Sequence, residues 1–230
     1  MRELGKKAAD REYEYLLALE DADIVKLDQA NIDRVLQALR DGDFDLRWQA
    51  TRLAGFYYNA QFEQPLLRCL RDRRMIIRVE ACDSLANSDN MDLCRYIRPL
   101  MLHCHPLERG YALLSYSDIV CNANASQEQA RRILRPRFAA ERNALVRVFG
   151  IEALAQLGVK EHLPLLYDYI GDTSHHARNA AVICANRFLA DLDADRLLAA
   201  LRAQRAKEEY LFVTEKMDAL IAQICNLHKA

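Results

Sequence analysis

The stretch LRDRRMIIRVEACDSLA, residues 70–86, recurs in altered form along the chain. The corresponding stretches are LRDGDFDLRWQATRLAG at 39–55, MLHCHPLERGYALLSYS at 101–117, AAERNALVRVFGIEALA at 139–155 and IGDTSHHARNAAVICAN at 170–186. Self-similarity of this kind is typical of repeat proteins, in which each unit buries its apolar face against its neighbours. We therefore expect an array of stacked units.

An arginine occupies the same position in every copy, and the positions around it agree as well. The arginines are Arg47, Arg78, Arg109, Arg147 and Arg178, separated by 31, 31, 38 and 31 residues. Six residues earlier lie Asp41, Asp72, His103, Glu141 and Asp172, and three residues later lie Ala50, Ala81, Ala112, Gly150 and Ala181. The step of 38 residues predicts an insertion, which we place in the loop CNANASQ at 121–127.

Each unit is predicted to hold two helices joined by a tight turn. Asp28, Asn59 and Asn90 recur every 31 residues, and Asp and Asn are preferred at helix N-caps. The first helix is expected to run from this cap to the acidic residue, and the second to start just before the arginine. Two amphipathic helices cannot bury their apolar faces alone, but stacked neighbours can.

These features resemble the HEAT repeats, an α-solenoid family built of helix pairs. The likeness covers residues 28–190 and rests on the acidic residue, the apolar residue and arginine that follow it, and the alanine after them. It implies an all-α fold, a right-handed α-solenoid of about five HEAT-like helix pairs. In that family the acidic residue and the arginine form ladders between units. The resemblance therefore implies a structural role for Asp41, Arg47, Asp72, Arg78, Arg109, Glu141, Arg147, Asp172 and Arg178.

The whole chain, residues 1–230, is interpreted as a single repeat domain. Residues 1–27 are expected to form an N-terminal capping helix, 28–190 the five helix pairs and 191–230 a degenerate C-terminal pair. Terminal units of an array are commonly atypical because one of their faces meets water.

The composition supports a helical protein and excludes several classes. Seven glycines and five prolines in 230 residues are few for a turn-rich β architecture. The net charge of −1 gives no overall attraction to nucleic acid. No stretch reads as a signal peptide or a membrane span, which predicts a cytoplasmic protein. The seven cysteines are scattered, as expected of small core residues.

The triplet His103, Cys104 and His105 is the strongest candidate for a metal site. A zinc site needs about four ligands, usually from two pairs, and the pair His175 and His176 lies two units away. Deoxyhypusine hydroxylases, which are HEAT-repeat enzymes, bind two irons through His-Glu pairs. In this sequence no His is directly followed by a Glu. We therefore predict no catalytic residue, metal or cofactor.

The exposed face of the second helices is the candidate binding surface. Residues two, five and nine positions after each repeat arginine are expected there, and they are acidic and aromatic more than basic. This groove is predicted to comprise Arg52, Glu80, Asp83, Asn87, Tyr111, Asp118, Phe149, Glu152 and Arg187. Such a surface suits a protein or peptide partner with basic residues, which predicts a non-enzymatic interaction scaffold.

Two alternatives remain open. The arginine-rich segment 131–147 and the cluster Arg68, Arg71, Arg73 and Arg74 fit a phosphate backbone, as in a nucleic-acid-binding relative of the HEAT-like alkylpurine DNA glycosylases. The acidic groove has the wrong polarity for that reading. The HEAT-like bilin lyase subunits, which attach chromophores to light-harvesting proteins, are the second alternative.

Overall fold

The computed structural model describes residues 2–22 and 24–227, with side chains from Asp10 onward. Within these ranges it contains thirteen α-helices and no strand. The helices are α1 (Arg2–Glu20), α2 (Gln29–Asp41), α3 (Phe44–Phe56), α4 (Glu63–Cys69), α5 (Met75–Leu85), α6 (Cys94–Ile97), α7 (Pro106–Asn122), α8 (Gln127–Ala140), α9 (Ala144–Gln156), α10 (Leu166–Tyr169), α11 (His175–Arg187), α12 (Ala194–Arg205) and α13 (Leu211–Leu227). Residues 1, 23 and 228–230 of the expected terminal segments lie outside this description.

The helices stack in the manner of a solenoid. The second helices form one continuous layer, in which α3, α5, α7, α9, α11 and α13 each pack on the next, and α1 packs on α3 at its start. The first helix of each unit packs against the second, as α2 does on α3 and α8 on α9. None of the helices in the described ranges is both long and apolar enough to span a membrane.

The first helices are shorter than expected in three units. Asn59 and Asn90 act as N-caps through their side chains, as predicted. Each caps a 3-10 turn (Ala60–Phe62 and Met91–Leu93), and the α-helix begins only after that turn. Helices α6 and α10 have only four residues each. Pro99 and Pro164 lie in the flanking 3-10 segments, and a proline lacks the N–H that a continuous α-helix needs. These units therefore present compact, irregular first helices.

The insertion lies mainly in a helix and not in the loop where it was expected. Helix α7 has 17 residues and ends thirteen positions after Arg109, whereas α3, α9 and α11 each have 13 and end nine positions after their arginine. The connection to α8 is correspondingly short. Asn124 adopts a positive φ of 49° there, a conformation that asparagine tolerates better than most residues.

Small residues allow the second helices to approach closely. Ala50, Ala81, Ala112 and Ala181 are fully buried, as their place after each arginine predicts. Gly110 is a further case, because a Cβ there would overlap the ring of Phe149 on α9. The contact brings α7 and α9 together and fixes the position of Phe149.

Candidate partner-binding groove

A ladder of arginines holds neighbouring units together and fixes the second helices. Arg78 donates through Nη1 to the carbonyl of Asp72 (2.7 Å) and through Nε and Nη2 to the carboxylate of Glu108 (3.2 and 2.6 Å). Arg109 binds Glu141 in the same way, at 2.8 and 3.1 Å. Each of these arginines therefore ties the turn of its own unit to the next unit.

The other three ladder arginines, Arg47, Arg147 and Arg178, each bind a different kind of partner. Arg47 binds Asp72 through one oxygen at 2.7 Å. Arg178 binds both oxygens of Glu208, at 2.6 and 2.7 Å, and Glu208 belongs to the C-terminal pair. Arg147 finds no carboxylate within 4.0 Å among the described residues; its Nε donates to the hydroxyl of Tyr169 at 2.6 Å.

Two acidic residues expected in the ladder bind elsewhere. The carboxylate of Asp41 accepts from the side chain of Gln37 (2.6 Å), because the ladder has no arginine in a preceding unit to bind it. That of Asp172 accepts from the backbone N–H of Ser174 (2.8 Å) and caps the turn. Glu108 and Glu208 were not predicted as ladder residues from the sequence. Each lies 30 residues after the arginine it binds, and this shared spacing is the sequence feature that could have identified them.

The histidine triplet belongs to this ladder. Nδ1 of His103 lies 3.1 Å from Oε2 of Glu108. His103 occupies the turn position where other units have an acidic residue, and Glu108 beside it is the carboxylate that binds Arg78. Cys104 is exposed, and the backbone N–H of His105 lies 3.3 Å from the same Nδ1. Among the described residues, no group of three or more His, Cys, Asp or Glu side chains is arranged to hold a metal ion.

The first part of the predicted groove lies on α3 and α5. Arg52, Glu80, Asp83 and Asn87 line one depression of about 260 Å³ together with Phe56, whose side chain is 69% exposed. Arg52 is neutralised by an ion pair with Glu20 of α1. Glu80 and Asp83, one helical turn apart, have no basic side chain within 4.0 Å in the described part of the chain. They leave this end of the groove negatively charged.

Burial shapes the electrostatics of these two carboxylates. It raises the pKa of Glu80, and the nearby charge of Asp83 raises it further, whereas the charge of Arg52 lowers it. Burial of its carboxylate also raises the pKa of Asp83. A cationic group that arrives with a partner would stabilise the charged form of both carboxylates.

The second part of the groove is aromatic and lies on α7, α9 and α11. The rings of Tyr111 and Phe149 meet edge to face, with centroids 5.4 Å apart. Both are half-buried and line a depression of about 180 Å³ with Glu152 and Asn179. The buried Oδ1 atom of Asn179 has no hydrogen-bond partner among the described residues, so an acceptor is left unused at this point. Burial and the neighbouring carboxylates raise the pKa of Tyr111 to about 12, which keeps its hydroxyl protonated.

Arg187 closes the far end of the groove. Its guanidinium lies 2.9 Å from the buried Glu152 and 4.0 Å from Asp118. Burial nevertheless raises the pKa of Asp118 to about 6. Asn87, by contrast, is used internally, since it donates to the carbonyl of Gly55 at 3.2 Å. Of the charged groups in the predicted set, only Glu80 and Asp83 therefore lack an ion-pair partner among the described residues, and Tyr111 and Phe149 pack against each other.

The chain shares its fold with a phycocyanin lyase complex. The solved structure is the complex of CpcE and CpcF of phycocyanin lyase from Nostoc sp. PCC7120. The likeness covers 96% of this chain and 89% of the matched chain, with a TM-score of 0.59 and 17% sequence identity. At that identity the likeness concerns the fold alone.

Two comparisons by sequence found no match. No family model matches the chain. No curated protein matches it either. The architecture is therefore established as a helical solenoid by the structure, and the activity has to be argued from the groove.

Proposed function

We propose that this chain is a HEAT-like subunit that binds a partner protein through its second-helix groove, as part of a two-chain assembly. The observation that supports it best is the pair Glu80 and Asp83, which form no ion pair within 4.0 Å among the described residues and lie beside the exposed ring of Phe56. A carboxylate pair next to an exposed ring fits a segment that carries lysine or arginine and one apolar side chain.

The groove does not favour nucleic acid. Its charged residues are mostly carboxylates, and its two arginines are bound to Glu20 and Glu152. A phosphate backbone would be repelled from this surface, since protein contacts to it depend on free lysine and arginine. The groove therefore does not support the glycosylase alternative, whose two arginine-rich segments lie outside it.

The bilin lyase alternative gains support from the structural comparison. The matched structure is a complex of two subunits, and the likeness covers nearly all of both compared chains. We propose accordingly that the partner assembly is of the lyase type, in which this chain holds a protein substrate or a second helical subunit.

A binding experiment tests the groove itself. The probe is a fluorescein-labelled peptide of alternating lysine and leucine, and the reading is fluorescence anisotropy at low salt. Substituting Glu80→Gln together with Asp83→Asn is expected to weaken binding at least tenfold, a loss of about 1.4 kcal/mol. The control, Asp89→Asn with Asp92→Asn, makes the same charge change at exposed positions outside the groove. Equal affinity in wild type and groove variant would exclude this site.

A second experiment tests the lyase proposal separately. The chain is titrated with the free bilin chromophore of phycocyanin, and the absorption spectrum is followed. A saturable shift of the visible band is expected, whereas an unchanged spectrum at every protein concentration would contradict a chromophore-handling role. That result would leave the groove proposal standing, since the groove is tested by the peptide alone.

A further inference from the structure

A strongly basic concavity lies where α4 turns into α5. It includes the ladder pair Arg47 and Asp72, but neither the ladder nor the groove accounts for its other arginines. It consists of two adjoining cavities of about 490 and 710 Å³ that share Arg47, Arg68 and Asp72. Cavities of this size are typical of small-molecule sites.

The charges in this concavity do not balance. It is lined by six arginines and two aspartates, namely Arg40, Arg47, Arg68, Arg71, Arg73 and Arg74 with Asp43 and Asp72. Both aspartates are already engaged. Asp72 binds Arg47 at 2.7 Å, and Asp43 accepts from the backbone N–H of Leu46 at 3.1 Å.

Four of the arginines remain available to a ligand. Arg74 lies over the ring of Phe44, with its guanidinium carbon 4.6 Å from the ring centroid. Arg40, Arg68, Arg71 and Arg73 have no carboxylate within 4.0 Å in the described part of the chain, and all four are exposed. Guanidinium groups that line one concavity without a carboxylate partner favour a compact anion that carries more than one charge.

One wall of the concavity is apolar. Leu36, Leu39, Pro65 and Cys69 line the cavity of 490 Å³, next to the arginines that edge it. The surface therefore offers contacts to an uncharged organic group as well as to an anion. A bare ion would leave this wall unused.

The cluster Arg71, Arg73 and Arg74 lies in the second unit, although Arg40 and Arg47 of the first unit also line the concavity. The positions of Arg71, Arg73 and Arg74 correspond to Leu102, Cys104 and His105 in the third unit and to Gly171, Thr173 and Ser174 in the fifth. Arg40 of the first unit corresponds to Arg71, and Arg142 of the fourth corresponds to Arg73. A nucleic-acid backbone running along this edge would therefore meet single arginines in those two units and none at these positions in the third and fifth. A ligand of one or two phosphoryl groups would find all its contacts in one place.

We infer that this concavity binds a small organic phosphate, with its phosphoryl groups among Arg68, Arg71 and Arg73 and its organic part against Leu36 and Pro65. A nucleoside diphosphate has the required size, charge and apolar surface. The site is separate from the second-helix groove, so it can serve as a cofactor or effector site whatever protein the groove binds.

Isothermal titration calorimetry with ADP, pyrophosphate and citrate tests this inference. ADP is expected to bind more tightly than pyrophosphate, because it alone contacts the apolar wall, and citrate is expected to bind most weakly. Substituting Arg71→Gln with Arg73→Gln is expected to weaken ADP binding at least tenfold. Neither residue belongs to the ladder, and thermal melting of the variant checks that the fold is kept.

The matched control removes two arginines from the other basic cluster. Arg132→Gln with Arg135→Gln makes the same charge change on the exposed side of α8 and is expected to leave ADP binding unchanged. Equal losses in both variants, no ADP binding by the wild type at millimolar concentration, or citrate binding as tightly as ADP would each overturn the inference. A 20-nucleotide single strand is the competing ligand. If the wild type binds it far more tightly than ADP, and both variants bind it more weakly than the wild type does, the cluster would be assigned to nucleic acid instead.

Discussion

Arg78 of α5 donates two hydrogen bonds to the carboxylate of Glu108, which lies in the next unit and is 2% exposed. The same guanidinium reaches back to the carbonyl of Asp72 in its own turn. One side chain thus fixes the spacing of two units, and the interaction recurs with Glu141 and Glu208. This regularity holds the groove residues of successive helices in register.

Replacing Glu108 by Gln is expected to destabilise the chain by about 3 kcal/mol, because a partly buried guanidinium loses its counter-charge. Urea unfolding followed by circular dichroism measures the change. The exposed pair Arg34 and Glu12 is the control, with 47% and 34% of the side chains exposed. Arg34→Gln is expected to cost less than about 1 kcal/mol. A cost for Glu108→Gln no larger than the control would contradict the ladder.

Gly110→Ala is expected to destabilise the chain by about 1–3 kcal/mol, because the added methyl group overlaps the Phe149 ring. The double variant with Phe149→Ala should cost less than the sum of the single changes, since the clash disappears. Gly171→Ala is the control, because a Cβ there would lie 3.6 Å from the Asp168 carbonyl, an ordinary contact. Additive costs would show that the two residues do not meet.

The ladder predicts a loss of stability in acid. Hydrogen bonds from Arg178 lower the pKa of Glu208 to about 2, from an ordinary value of 4.5. This carboxylate, whose side chain is 0% exposed, therefore contributes stability above pH 4.5 and loses it as the pH falls towards 2. The free-energy difference between wild type and Glu208→Gln should shrink by up to about 3 kcal/mol over that range. A difference that does not change with pH would contradict the assignment.

Asp118 is expected to destabilise the folded chain at neutral pH, in contrast to Glu208, which stabilises it. Burial raises its pKa to about 6 from an ordinary value of 3.8, so the folded state binds the proton more tightly than the unfolded chain. The destabilisation grows as the pH rises from 3.8 to 6 and is fully present above pH 6. Asp118→Asn should therefore stabilise the chain by about 1 kcal/mol at pH 7 and have no effect at pH 3. Thermal melts at the two pH values measure it, and a destabilising effect at pH 7 would be contrary to this account.

The second helices could be predicted well from the sequence, because the arginine and the alanine after it depend on local helix geometry and close packing. The acidic partners of the arginines could be predicted less well. The guanidinium can bind an acidic residue in the turn between the two helices of the next unit, as Arg47 binds Asp72. It can also bind one in the first turn of that unit's second helix, as Arg78 binds Glu108. Aligning the repeats at one acidic position finds only one of these two kinds of partner. The side-chain partners inside the groove, such as Glu20 for Arg52, were also outside its reach, since they come from distant units.

The first helices differ from the prediction as well. The cap residues predicted continuous first helices, but those of the second, third and fifth units include 3-10 turns, and in the third and fifth these turns contain Pro99 and Pro164, which lack an N–H donor. The arginine cluster of the second unit is visible in the sequence. Its position around a cavity with an apolar wall is not, because Leu36 and Pro65 come from different helices.

Hydrogen–deuterium exchange with and without the lysine-leucine peptide tests the central claim most directly, because it maps where a bound segment lies. The account predicts that binding slows exchange in α5, α7 and α9, whose side chains form the groove, and leaves α2, α4 and α8 unchanged. Protection confined to the first helices, with α5 and α9 unaffected, would contradict the assignment of the groove as the partner-binding surface.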